Sequence, residues 1–211
     1  MMRAALVVIG FLMGQGLTAQ TDTTWSLYHG GMELNDGLYR DFRDFRLNSP
    51  TIPIERLRDD QGHPITDIRR AVSTLYWQPD TGARQSLRKE VLWGFCQNNA
   101  IYIAAGNGFY RLGLMGSLSH MVYELNYRDW DPYMYPYGGV TRTILMQQML
   151  DMDTGGFHPF DAAGMDKALA ADPVLQEEFR GLEKKQRNAT EVLFRFLKLY
   201  NERHPLLFPM Y

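Results

Sequence analysis

The sequence has 211 residues, with 22 Lys and Arg against 24 Asp and Glu and a formal net charge of −2. Both signs are scattered and no basic tract occurs, which excludes the electrostatic footprint of a nucleic-acid binder or of a protein held on an anionic membrane surface. The single cysteine, Cys96, excludes an internal disulfide, and the 13% of aromatic residues, with twelve Tyr, favour β-structure.

Residues 1–19 read as an export leader. Arg3 precedes the apolar run Ala4 to Met13, and the segment from Gly14 to Ala19 is small and polar, as a signal peptidase requires. The apolar run is too short to cross a bilayer of roughly 30 Å, and no later stretch approaches 18 uninterrupted apolar residues, so no integral membrane segment is expected. The mature chain is expected to begin at Gln20 with a charge of about −3 once Arg3 leaves. It would be exported to the periplasm, to the outer membrane's surface or beyond, without a lipid anchor, since no cysteine stands at the cleavage point. Its length suits one domain that buries about 70% of the surface its unfolded chain exposes.

Residues 20–160 then read as a β-rich domain. Thr51 to Arg58 alternates apolar and polar, with Pro53 confining it to an edge. Val72 to Trp77 follows, then a turn at Gln78-Pro79-Asp80-Thr81-Gly82, where Pro sets φ and Gly supplies a positive φ. Leu87 to Gln97 runs into Asn98-Asn99, both tolerant of the left-handed region, and Ala100 to Ala104 returns. Cys96 lies in an apolar run and reads as a buried small hydrophobe. Phe109 to Leu114 and Leu118 to Tyr127 continue the series. After a loop rich in Pro and Tyr, Thr141 to Asp151 pairs with Phe157 to Phe160, although Ile144, Leu145, Met146, Met149 and Leu150 also suit a helix. Turns every 8 to 15 residues in the sequence argue for an antiparallel meander. The fold class is mainly β within α+β, a curled sheet or small barrel with a long C-terminal amphipathic helix.

Residues 161–211 change period and read as a helical segment packed on the same domain. Asp161 and Asp172 suit N-caps, the second with Pro173 at the first helical position. Leu175, Phe179, Leu182, Gln186, Ala189, Leu193, Phe196 and Tyr200 step by four and three, a seam on a helix of about thirty residues. Pro205 and Pro209 end it.

Three stretches attract chemistry. In Gly116-Ser117-Leu118-Ser119-His120, adjacent strand residues point to opposite faces, so Ser119 and His120 do not face one another, and no nucleophile elbow surrounds Ser117. Asp151-Met152-Asp153-Thr154-Gly155-Gly156-Phe157-His158 opens like a calcium loop but has Gly155 and Ala162 where such a loop needs oxygen ligands. The loop from Trp130 to Tyr137 holds flat amphipathic rings between prolines, the material of a glycan or peptide platform. No catalytic residue, metal site or cofactor is assigned. His120, Tyr110, Arg111 and Tyr123 are the expected ligand-lining residues in mid-meander, with Trp130, Tyr133 and Tyr135 in the loop. The expected partner is a small molecule, a glycan or an envelope protein. The alternatives are an envelope hydrolase combining His120 or His158 with Asp151, Asp153 or Glu124, and a structural protein whose Leu175–Tyr200 seam pairs with another chain.

Asp36-Gly37-Leu38-Tyr39-Arg40-Asp41-Phe42-Arg43-Asp44-Phe45-Arg46-Leu47-Asn48-Ser49-Pro50 resembles the opening of a group of uncharacterised exported proteins of Bacteroidota. Leu92 to Phe95, Phe109 to Arg111, Gly116 to His120 and Asn201-Glu202-Arg203-His204-Pro205-Leu206 are similar to later parts of that group, and the likeness spans most of the mature chain. The resemblance implies an envelope location and carries no activity or site residues. Sequencing the N-terminus of protein recovered from the envelope is expected to find Gln20 first; an intact Met1 would remove the leader.

Overall fold

The structure is a computed structural model that describes residues 24–71, 75–130, 133–134 and 139–210. The leader, the start of the Val72 to Trp77 run and Tyr135 lie outside the described residues. In chain order the elements begin with β1 (Thr24–Leu27), β2 (Gly37–Tyr39), α1 (Phe42–Arg46), β3 (Ile52–Pro53), β4 (Leu57–Arg58), α2 (Ile68–Ala71), β5 (Tyr76–Trp77) and β6 (Gln85–Ser86). The meander follows as β7 (Gly94–Gln97), β8 (Ala100–Ala105), β9 (Gly108–Leu114), β10 (Leu118–Asp129), β11 (Val140–Asp151) and β12 (Phe157–Pro159). Helices α3 (Ala162–Ala168), α4 (Pro173–Arg180), α5 (Lys184–Arg187) and α6 (Thr190–Arg203) precede a last strand, β13 (Leu207–Met210).

Eight strands form one antiparallel sheet in the order β12-β11-β10-β9-β8-β7-β2-β3. From β7 to β12 every strand neighbours its successor, which is the expected meander. The sheet ends in two edges, so the open curled form occurs and the barrel does not. Asn98 and Asn99 take φ of 51° and 59° and turn β7 into β8, a geometry that Asn tolerates and β-branched residues do not.

Three segments depart from expectation. Thr51 to Arg58 is divided by a 3-10 turn at Ile54–Arg56, so β3 borders the large sheet while β4 joins a small β4-β5-β6 sheet. Pro53 has no N–H with which to extend a ladder, and the chain leaves the sheet there. Leu87 to Gln97 is strand only over β7, after a 3-10 turn at Lys89–Val91. The single long helix is instead three helices. Asp172 caps α4 through a 3.0 Å bond from Leu175 N–H, as expected, and α4 stops at Gly181. Gln186, the polar member of the seam, is exposed and turns its side chain back to accept Glu183 N–H at 3.1 Å. Leu175, Phe179, Leu193, Phe196 and Tyr200 are still buried, so the stripe is filled within the chain and offers no continuous seam to another.

One face of the large sheet packs on a core formed with α1, β13 and the segment that follows β1, including Tyr39, Phe45, Ile103, Met121, Tyr123 and Phe208. The other face is shared. Leu38, Phe95 and Leu57 meet there beside the small sheet, while Leu118 and Met149 meet the helices through Phe179, Leu193 and Phe196.

Asn201 of α6 closes this second contact. Its Oδ1 accepts Leu118 N–H at 2.8 Å and its Nδ2 donates to Leu118 O at 2.9 Å. Gly116 makes room for it, because a Cβ at 116 would stand 2.4 Å from Asn201 Cγ. Asn201→Ala leaves both Leu118 backbone groups without their partner and is expected to cost about 1–3 kcal/mol in a urea titration. Gly116→Ala is expected to cost less in the Asn201→Ala background than alone, and additive losses would show that the two do not meet.

Candidate functional site

The residues singled out in mid-meander are distributed over both faces of the sheet. Tyr110 and Tyr123 meet on the face turned to α1 and β13, with ring centroids 6.0 Å apart. Tyr110 Oη donates to Asn107 Oδ1 and Glu124 O, at 3.1 and 3.2 Å, while Tyr123 Oη accepts from Gln148 Nε2 at 3.1 Å. Arg111, one residue on from Tyr110, lies on the other face of β9 and is exposed. His120 faces the helices, its ring edge-on to Phe160 and Phe194 at 4.5 and 4.9 Å between centroids. Its Nε2 lies 3.0 Å from Gln147 Oε1. Burial lowers the His120 pKa below the usual histidine value, against the smaller opposing effect of Gln147. The four residues therefore do not converge on one cavity.

Of the groups that attracted a hydrolytic reading, Ser119 and Asp151 are spent on local structure. Ser119 Oγ donates to Gly116 O at 2.8 Å and accepts Gly116 N–H at 3.0 Å. Asp151 organises the β11–β12 turn, its Oδ1 accepting Asp153 N–H at 2.8 Å and its Oδ2 accepting Thr154 Oγ1 at 2.7 Å. Gly155 completes that turn at φ 74°. His158 sits in β12 opposite Met149. Among the described residues no cluster of three or more His, Cys, Asp or Glu could hold a metal ion. Cys96 is fully buried, and burial pushes its thiol pKa up, which keeps it an unreactive thiol.

A charged cleft of about 410 Å³ lies between Arg46, Ser117, Asp153, Arg203 and His204. Sequence reasoning attached no chemistry to this grouping, because it joins residues far apart in the chain. Two of its basic groups, Arg203 and His204, are held by Asp172, a carboxylate outside the lining. Asp172 accepts from Arg203 at 3.3 Å and from His204 Nε2 at 3.2 Å, and the Leu175 N–H bond with these two partners holds its carboxyl below the usual range. Arg46 donates from Nε to Met152 O at 2.9 Å, with its guanidinium 5.2 Å from the Trp25 ring centre and 5.6 Å from that of Phe208. The cleft is a junction between α1, the β11–β12 turn and the chain's last strand.

The β10–β11 hairpin supplies a different surface. Its twelve residue pairs run without a shift from Leu118↔Asp151 to Asp129↔Val140. The β8–β9 turn reaches only to Glu124, where Tyr110 Oη bonds Glu124 O. Beyond it, residues 125–129 and 140–144 form a two-stranded arm about 17 Å long at 3.4 Å per residue. Strand alternation places Leu125, Tyr127, Val140, Ile144 and Met146 on one face, continuous with Tyr123 and the core, with the Arg142–Asp129 ion pair lying on the same face beyond Ile144. Asn126, Arg128, Thr141 and Thr143 occupy the other, with Glu124 and the exposed Val122 and Leu145 toward the root. Leu125 and Met146 are packed against the core, while Val140, Tyr127 and Ile144 are 42%, 41% and 40% exposed. At the tip Trp130 is 65% exposed and Tyr133 is 95% exposed.

Compared with known proteins, the chain matches no family model, no curated protein and no solved structure.

His120 makes the pH dependence of the site checkable. Its folded pKa lies below the unfolded value of about 6.5, so below that pH the unfolded chain takes the proton more readily and stability falls. The urea midpoint of the wild type is expected to drop between pH 7.5 and 5.5, and His120→Phe to flatten that drop. An unchanged slope in the variant would assign the effect elsewhere.

Proposed function

We propose that the chain is an exported, noncatalytic binding module that holds an envelope protein on the apolar face of its β10–β11 arm. One observation carries this reading: the face that buries Tyr123 in the core continues through Leu125, Tyr127 and Ile144 past the end of the sheet, where the side chains stand exposed. Contiguous apolar surface on a projecting element costs solubility and marks an interaction site. The surface is flat and extended, the shape that a protein partner covers, whereas small-molecule sites are concave. Trp130 and Tyr133 add large rings of low side-chain entropy at the tip.

Export is supported by the leader over 1–19 and by the resemblance to exported Bacteroidota proteins. The noncatalytic reading is supported by the packing of His120 and the turn role of Asp151, two of the groups from which a hydrolase would be built, and by the local bonding of Ser119.

Tyr127→Ser with Ile144→Ser is the test, since both residues are surface positions whose replacement shifts stability by about 0.5 kcal/mol or less each. Affinity capture from solubilised native envelope is expected to retain a protein on the wild-type chain that the double variant, equally folded by circular dichroism, loses. The same retained proteins on both would overturn the proposal.

A further inference from the structure

Among the described residues no strand pairs with the outer edge of β11 over much of its length. β12 pairs only with Gln148, Met149 and Leu150, and Phe160 N–H takes Gln147 O at 3.0 Å. From Val140 to Met146 no strand lies on that edge among the described residues. Proteins guard exposed edges with proline, lysine, a bulge, an inward charge or short length. This stretch has seven residues, Val-Thr-Arg-Thr-Ile-Leu-Met, with no proline or lysine and no shift in register against β10. Its single charge, Arg142, is held by Asp129 of the same arm at 2.9 Å.

We infer that a second copy of this chain occupies the edge, β11 against β11 in antiparallel pairing about a two-fold axis through Thr143. Strand geometry selects this register. Opposed residues of an antiparallel pair point to the same face, so a two-fold axis normal to the sheet must pass through a residue position and not between two. Thr143 is the middle residue of the free stretch. The axis then opposes Val140 to Met146, Thr141 to Leu145, Arg142 to Ile144 and Thr143 to Thr143. No like charges are directly opposed: the two Arg142 side chains are diagonal neighbours, each paired with Asp129 of its own copy, and β-branched and apolar residues, which favour sheet pairing, fill the rest of the ladder. The interface is isologous and closes after two copies, because each copy's edge is consumed.

The dimer deepens the proposed function. The two arms become one four-stranded ribbon, and the Tyr127 and Ile144 faces of both copies lie on the same side as one doubled platform, crossed by the two Arg142–Asp129 pairs. The inference rests on the same arm but uses its edge, whereas the proposed partner uses its face, so the two fail separately.

The self-opposed position supplies the test. Thr143 is exposed, so Thr143→Lys and Thr143→Glu leave the core untouched. Each places like charges on the axis. In sedimentation velocity at high micromolar concentration the wild type is expected to be a dimer, each variant alone a monomer, and their equimolar mixture a dimer again. A monomeric wild type overturns the inference, as does a Thr143→Lys chain that dimerises as well as the wild type. Partner capture that survives in Thr143→Lys while the dimer is lost leaves the proposed function standing; capture lost on Tyr127→Ser with Ile144→Ser while that variant stays dimeric separates the face from the edge.

Discussion

Alternate side chains of β10 must satisfy two cores at once, and this constraint positions nearly everything else. Met121 and Tyr123 enter the core built with Phe45 and Phe208, while Leu118 meets the helices and His120 is enclosed by Phe160 and Phe194 on that side. A strand repeats every two residues, so a slip of one position would exchange the two sets and place His120 among the aromatic rings of the first core. The twelve regular pairs with β11 hold the register on one side. Asn201 holds it from above, reading the Leu118 backbone through both donor and acceptor. Helix position and strand register are thus one variable, which explains why a single amide joins segments 83 residues apart.

The same hairpin changes character along its length. At its root both faces are covered, and the pair behaves as the centre of a sheet. Past Glu124 it loses β9 on one side, and it has β12 on the other only from Gln148 onward. A two-stranded ribbon is marginal in water without a packed face. The arm is kept in order by its continuity with the root, by the Arg142–Asp129 pair and by the 2.6 Å bond from Thr143 Oγ1 to Asn126 Oδ1 on its polar face. On the face that carries Tyr127 and Ile144 the Arg142–Asp129 pair is the link between the strands, and among the described residues no packing layer covers it; a partner seated there would complete a layer that the fold begins.

Local chemistry made much of this legible in the sequence. Asn98 and Asn99 announce a positive-φ turn, Asp161 and Asp172 announce caps, and alternation announces the meander, because each depends on neighbours a few residues away. Features set by distant partners were not visible. Nothing local marks β1 or β13 as strands, since each finds its strand partner in the other, at the far end of the chain. The helical seam from Leu175 to Tyr200 has the spacing of one long helix, yet the packing of α3, α4 and α6 around Met165 and Phe179 lets it break where Gln186 contributes nothing to the core. The aromatic tip was identified from composition. The arm beneath it was not, because Tyr123, Leu125 and Tyr127 form one uniform alternating pattern, and only the length of β9 decides where burial ends.

Pairing of β1 with β13 joins residues 24–27 to residues 207–210. Closing a loop of that size costs entropy that local contacts do not repay, so the pair must draw on structure already formed. Arg46 shows what that structure is. Its guanidinium lies over Trp25 of β1 and Phe208 of β13 while its Nε bonds Met152 O in the β11–β12 turn. The cation therefore needs α1, the finished meander and both terminal strands in place before its contacts exist together. Phe208, Leu206 and Met32 then seal the core on the face of the sheet opposite the helices. A chain released residue by residue would hold an open first core until its last strand arrived. The helices, by contrast, can close on Leu118 and Met149 before β13 is available. The two faces of one hairpin thus complete their cores in sequence, with the helical side able to set the register that the terminal strands later lock.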